Sequence, residues 1–260
     1  MVIDSHCHLD DAAHGDLRET LTRAVAHEVW GVVAVGCDPA TNGKTLEASA
    51  RYPKAIWACL GCHPEWPLDD QAVEQVEEQV ATNHARTVGL GEVGLPWYSL
   101  ESASDPAGLM ARGRARLDRF LGLAARYDLP VALHAPHGAA VSALQLLRRR
   151  GIERAVFHWH KAPEEVTREI VAAGYYVSVT PEVVYRQRDR EMVEWLPLES
   201  LLVETDGPWP YKNEFSGLKT EPWMASRVAE EVAKLKHLPV DEVMFRLTTN
   251  TSELFDLALA

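Results

Sequence analysis

The chain has 260 residues, with 26 Lys and Arg against 38 Asp and Glu, for a formal net charge of −12. An apolar share of 47% and a charged share of 25% are those of a globular protein, which excludes long disorder, collagenous repeats and low complexity. The acidic balance excludes a protein that holds nucleic acid mainly through a basic face, but not an enzyme that meets phosphate through bound metal.

Along the chain, residues 2–5 read as a first strand, with no basic and then apolar leader ahead of them, so no signal peptide is expected. Leu17, Leu21 and Val25 recur every four residues and read as a helix. Strands come next at residues 31–35 and 55–60, then an acidic helix carrying Val73, Val76 and Val80. Residues 87–91 form the fourth strand, and Leu117, Leu121 and Ala125, flanked by Phe120 and Ala124, mark the next helix. Arg112, Arg114, Arg116 and Arg119 alternate around that helix with apolar residues and read as its solvated side. A strand at 130–133 leads to a helix with Leu144 and Leu147 that Gly151 stops. Strands at 154–157, 175–179 and 201–205 complete a set of eight, and helices near 222–236 and 240–257 close the chain.

Alternating strands and helices in a chain of this length predict parallel strands joined by helical crossovers, an α/β protein of the (β/α)₈ TIM-barrel type. An open doubly wound sheet is the runner-up, weakened by the lack of a Gly-rich phosphate loop after the first strand. No linker or change of composition divides residues 1–260, so a single domain is expected. No apolar run is long enough to span a bilayer, and a cytoplasmic monomer or small homo-oligomer is expected. Cys7, Cys37, Cys59 and Cys62 are too few for a disulfide framework, and Cys59-x-x-Cys62 has no second pair to make a zinc site.

Ligand-type residues fall at the ends of these strands. The first strand runs into His6-Cys7-His8, whose alternate residues share a face. The fourth reaches Glu92, the fifth His134, the sixth His158 and His160, and the eighth Glu204 and Asp206. In a barrel the C-terminal strand ends form the mouth where active sites are built, so this distribution points to a metal centre. Four imidazoles and two carboxylates exceed what one tetrahedral ion uses, which suggests two divalent ions, zinc, manganese or magnesium. Glu92 is the carboxylate suited to bridge ions about 3.5–4 Å apart. Asp206 is the candidate to accept a proton from the attacking water, and Glu204 to orient a ligand from behind. His63, after the third strand, His160 and Trp97 are candidate substrate contacts. Trp159, Trp209 and Tyr211 also stand just past strand ends, where loop packing competes with ring stacking.

The motifs HCHLD, GCHP, GEVGL, PVALH, the histidine at 158 and ETDGPWPY, in this order, resemble the TatD family of metal-dependent hydrolases within the amidohydrolase-like barrels. The resemblance covers nearly the whole chain. It implies two divalent metals and phosphoester hydrolysis, commonly of DNA from a free 3′ end. It also implies that His6, His8 and Asp206 hold one metal and His134 and His158 the other, with Glu92 bridging. Against the family's usual pattern, Pro96 stands where an Asp comes after GL, Pro136 where an Arg comes after the fifth-strand histidine, and His158-Trp159-His160-Lys161-Ala162 where an HCFSG-like turn occurs. The expected function is a phosphodiesterase or deoxyribonuclease with a weakly held nucleic-acid substrate. The alternative is an amidase, lactonase or esterase on a small molecule, or a deacylase on charged tRNA, using the same residues. A structural metal centre is disfavoured because a structural zinc needs only four closed ligands.

Overall fold

The computed structural model describes residues 1–9 and 15–258; Asp10 of the HCHLD motif lies outside the described residues. The strands are β1 (Val2–Cys7), β2 (Val29–Val35), β3 (Ile56–Leu60), β4 (Gly89–Gly94), β5 (Val131–His134), β6 (Ala155–Phe157), β7 (Tyr176–Val179) and β8 (Leu201–Val203). They form one eight-stranded sheet in chain order, and helices connect them, which makes the fold a (β/α)₈ barrel. The helices among the described residues are α1 (Leu17–Ala26), α2 (Pro39–Arg51), α3 (Asp70–Asn83), α4 (Pro106–Tyr127), α5 (Ala139–Arg150), α6 (Glu164–Ala172), α7 (Gln187–Trp195), α8 (Met224–Lys236) and α9 (Val240–Phe255). None is long and apolar enough to cross a membrane.

The chain divides into two compact units. The first draws on Met1–Ala34, Glu47–Trp57 and Val177–Ala260. Its strands β1 and β2 pair in parallel from Val2↔Val29, and β7 pairs β8 through Val177↔Leu201 and Val179↔Val203. Its core includes Ile3, Val32, Leu202, Val228, Val232 and Leu247, all buried. Leu17 and Leu21 pack on Cys7, Leu9, Val32, Ala34, Ala48 and Ile56, whereas Val25 is exposed, because a repeat of four drifts off the inner face of a 3.6-residue helix. Asp16 starts α1 by accepting the Arg18 N–H.

The second unit comprises Val35–Leu46 and Ala58–Tyr176. Strand β4 pairs β3 through Cys59↔Gly89 and β5 through Gly94↔His134, and β5 pairs β6 through Leu133↔Phe157. Leu117, Phe120, Leu121 and Ala124 of α4 are buried, as are Val73, Val76 and Val80 of α3. Asp69 and Asp105 cap α3 and α4, with Pro106 in the first turn of α4, and Gly151 ends α5 at φ 64°. Of the α4 arginines, half-buried Arg116 donates to Leu68 O, and two reach neighbouring helices. Arg119 pairs with Glu77 at 2.7 Å and Arg114 donates to Ser142.

Strands β1 and β5 run slightly past their expected ends, to Cys7 and His134, and two larger shifts bear on the site. Strand β4 runs on to Gly94, so Glu92 lies inside it rather than after it. Strand β8 stops at Val203, and Asp206 adopts φ 47°. Strand alternation, which would set Glu204 and Asp206 on one face, therefore fails at Asp206, since a left-handed residue breaks the pleat. It fails for His158 and His160 as well, because β6 stops at Phe157 and Trp159 has φ 39°.

Candidate active site

The first unit gathers His6, His8 and Asp206. His6 lies at the end of β1, and its Nε2 is 3.6 Å from Asp206 Oδ1; His8 Nε2 lies 3.3 Å from the same oxygen. The two rings meet edge-on at 5.1 Å. Backbone pairing sets this geometry. Asp206 N donates to His6 O at 2.9 Å, and His8 N donates to Gly207 O at 2.8 Å. Buried Asp4 braces the pair, taking the Thr205 N–H at 2.9 Å, the Thr205 hydroxyl and the His6 N–H. Burial pushes the Asp4 carboxyl well above its ordinary range, against those hydrogen bonds. Tyr211 is buried and donates its hydroxyl to Thr205 O at 2.8 Å, so it packs the loop, while Trp209 is exposed. Glu204 is buried beside β7, where Ser178 Oγ donates to its Oε2 at 2.6 Å.

The second unit gathers His63, Glu92, His134 and His158. Three imidazole nitrogens surround one oxygen of buried Glu92: His134 Nδ1 at 2.7 Å, His158 Nε2 at 2.8 Å and His63 Nε2 at 3.2 Å from Oε1. Two glycines make room for this approach. A Cβ on Gly61 would collide with the Glu92 backbone, and one on Gly94 with the His134 carbonyl. Cys62 N donates to Glu92 O and His63 N to Cys37 O, both at 2.9 Å, and Asn42 holds Gly61 through both ends of its amide. His63 Nδ1 accepts the Glu65 N–H at 3.2 Å, which turns Nε2 toward Glu92. Burial raises the Glu92 carboxyl, but the His63 and His158 rings and the hydrogen bonds from His134 and His158 outweigh it, leaving it well below its ordinary range. Burial lowers His134, and its bonds to Glu65 and Glu92 more than reverse that.

Sequence reasoning missed Glu65. Its carboxylate takes the Trp97 N–H at 2.6 Å, the Tyr98 and Ser99 N–H groups at 3.0 Å each, and the Ser99 hydroxyl at 2.6 Å. It also lies 3.4 Å from His134 Nε2. Its carboxyl is held below the ordinary range, because these bonds outweigh the cost of burial. The available signal was a carboxylate two residues beyond His63 at a strand end. Asp4 was legible in the same way, as the residue alternating with His6 and His8. Trp97 is half-buried, its ring 5.7 Å from that of His137. His160 Nε2 meets Thr167 Oγ1 of α6 at 2.7 Å, with Phe157 edge-on to its ring.

The donor chemistry fits divalent metal. His6, His8 and Asp206 offer ligand atoms within 4.8 Å of one another, as do His63, Glu92 and His134. Imidazole nitrogen with carboxylate oxygen suits zinc or manganese. Cys59 and Cys62 are buried thiols; burial pushes the Cys59 thiol far up and that of Cys62 to about 11.

Residues 3–256 match the family model described as TatD related DNase. A Haemophilus influenzae protein named "Uncharacterized metal-dependent hydrolase" is 31% identical over 259 residues, covering 99% of this chain and all of its own. Human "Deoxyribonuclease TATDN3" is 32% identical over 265 residues, covering 98% of this chain and 94% of its own. The crystal structure of YjjV, a TatD homologue from Escherichia coli, superposes with a TM-score of 0.88 at 30% identity, covering 99% of this chain and 98% of that one. The motif order, the barrel and these matches agree, and the chain belongs to the TatD family.

Proposed function

We propose that this chain, a metal-dependent hydrolase of the TatD family, cleaves phosphodiester bonds, trimming DNA from free 3′ ends with the help of two divalent ions. The observation that carries the reading is the convergence of three imidazoles on one oxygen of Glu92, accompanied by the separate His6–His8–Asp206 group. Here His6, His8 and Asp206 would hold one ion and His134 and His158 the other, with Glu92 serving as the carboxylate ligand that the family resemblance implies. When bound, such ions bring the pKa of a water toward neutrality and polarise the phosphoryl oxygen.

The chain's own groups supply the rest. Asp206 takes the proton of the attacking water and returns it to the leaving oxygen. His63, its ring oriented by the Glu65 N–H on Nδ1, contacts substrate beside Glu92. Trp97, whose backbone is tied by Glu65, offers a ring for a base to stack on. Glu204 acts from behind the ligands, through Ser178. Residues 1–260 work as one domain in this reading. A net charge of −12 gives no long-range pull on a polyanion, so short single-stranded ends are favoured over long duplex.

The test is end-labelled single- and double-stranded oligonucleotides with magnesium, manganese or zinc. Trimming from the 3′ end, abolished by chelator, is expected. Cutting of closed circular duplex as fast as end trimming would sink the end-trimming reading. Hydrolysis of a small ester or amide with no cleavage of any nucleic acid would replace it with the alternative. Pro136, standing two residues after His134 where an Arg would grip phosphate, is the feature that keeps that alternative in view.

A further inference from the structure

The turn after β6 carries a cation set against aromatic rings. Trp159 has φ 39°, a left-handed conformation that bulky residues seldom adopt, so the surrounding structure must impose it. His160 anchors the turn from below through Thr167, whose hydroxyl also donates to the Pro163 carbonyl at 3.0 Å. The result brings Lys161 back over its neighbour: its Nζ lies 3.6 Å from the centre of the Trp159 ring. On its other side Nζ lies 3.4 Å from the Tyr98 hydroxyl and 5.9 Å from the centre of that ring. Tyr98 is fixed in turn, with its N–H on Glu65 and its ring edge-on to His134 at 6.1 Å. His134 and His158 are the imidazoles closest to Glu92 Oε1.

A lysine on a surface loop ordinarily samples many rotamers in water, and ordering it costs side-chain entropy. Here the face of the Trp159 ring and the hydroxyl of Tyr98 hold the ammonium from two directions, the first as a cation–π contact. In a chain of net charge −12, an ordered positive group three residues beyond His158 is suited to an anion rather than to general attraction.

We propose that Lys161, seated between Trp159 and Tyr98, binds a non-bridging oxygen of a phosphate adjoining the scissile bond, and so makes the site select anionic substrates. This rests on the hydrolase reading above and adds to it the group that recognises the substrate's charge. Lys161 is a binding residue in this account, while the bond-breaking groups are those around Glu92. The phosphate bound belongs either to the neighbouring internucleotide link or to a terminal monoester, and both present the same oxygens.

The experiment compares wild-type protein with Lys161→Gln and Lys161→Arg. Binding is read by fluorescence anisotropy with a labelled phosphorothioate oligothymidylate. Turnover is read on oligothymidylates whose adjoining phosphate is either charged or replaced by neutral methylphosphonate, with and without a terminal phosphate. The expected result is a Kd and KM about tenfold higher in K161Q, with kcat changing far less, as for one lost charge-assisted bond. The salt slope of log Kd should become shallower by about 0.7, one phosphate contact on a single strand. K161R should recover most of the binding, and the preference for the charged over the methylphosphonate substrate should shrink about tenfold in K161Q. The arm with or without terminal phosphate identifies which phosphate is bound.

Equal binding by wild type and K161Q, or no binding by wild type, overturns the proposal whatever the turnover. Lysine-dependent binding without cleavage of any phosphodiester instead overturns the nuclease reading, with the anion seat still standing. Circular dichroism of K161Q, a half-exposed position, guards against loss of fold.

Discussion

Replacing Glu65 by Ala should cost stability as well as activity, and the size of the loss is set by its contacts. The carboxylate accepts three backbone N–H groups, from Trp97, Tyr98 and Ser99, at 2.6–3.0 Å. These N–H groups start a short 3₁₀ turn at Tyr98–Leu100 that has no side-chain cap of its own. Bonds to a charged acceptor are worth roughly 1.5–3 kcal/mol when dry, but water can replace part of each here, so about 1 kcal/mol per bond is reasonable. Three bonds give about 3 kcal/mol. For a chain of this size, each kcal/mol moves Tm by about 2 °C, so the melting point should fall by about 6 °C. Glu65→Gln keeps one acceptor oxygen and should fall by about half as much. Calorimetry or thermal circular dichroism on both variants reads this directly. A Tm for Glu65→Ala within about 1 °C of wild type, less than the loss of even one such bond, would refute the claim that Glu65 holds the Trp97–Tyr98 segment in place.

Three further outcomes are expected. His6→Ala and Asp206→Ala should keep their far-UV circular dichroism while losing retained divalent metal by elemental analysis; unfolding on either change would mark a structural centre instead. Tyr211→Phe removes the bond to Thr205 O and should cost about 1 kcal/mol, a Tm shift of about 2 °C, in thermal melts. Asp118 is held below its ordinary range by hydrogen bonds from Arg150 and Arg149. A carboxyl lowered on folding adds stability that is full above its unfolded pKa of about 3.9 and vanishes as pH falls through the lower folded value. Asp118→Asn should therefore lower stability at neutral pH by at most about 1 kcal/mol, less in high salt, and flatten the loss below about pH 4; urea titrations at several pH values check it.

The alternation of apolar runs and helix-period stretches determined the eight strands and the helices with a strong apolar stripe, because those patterns are local. It also placed the ligand-type residues at strand ends, since the next residue after each apolar run is read directly from the chain order. Helix α7, Gln187–Trp195, was not legible: Met192 and Val193 are its buried apolar residues, too few to set a period. Helix α6 is short for the same purpose, nine residues with Thr167 and Ile170 buried. The tertiary structure alone decided which groups meet. Glu65 lies 32 residues before Trp97, and Asp4 lies 201 residues before Thr205, so no local pattern could pair them. Alternation put His160 beside His158 and Glu204 beside Asp206. The left-handed turns at Trp159 and Asp206 break that parity: His160 meets Thr167, while Glu204, still following β8, takes the Ser178 hydroxyl. Strand parity holds only while the pleat does, and where these strands end, backbone hydrogen bonds to neighbouring strands choose the direction of each side chain.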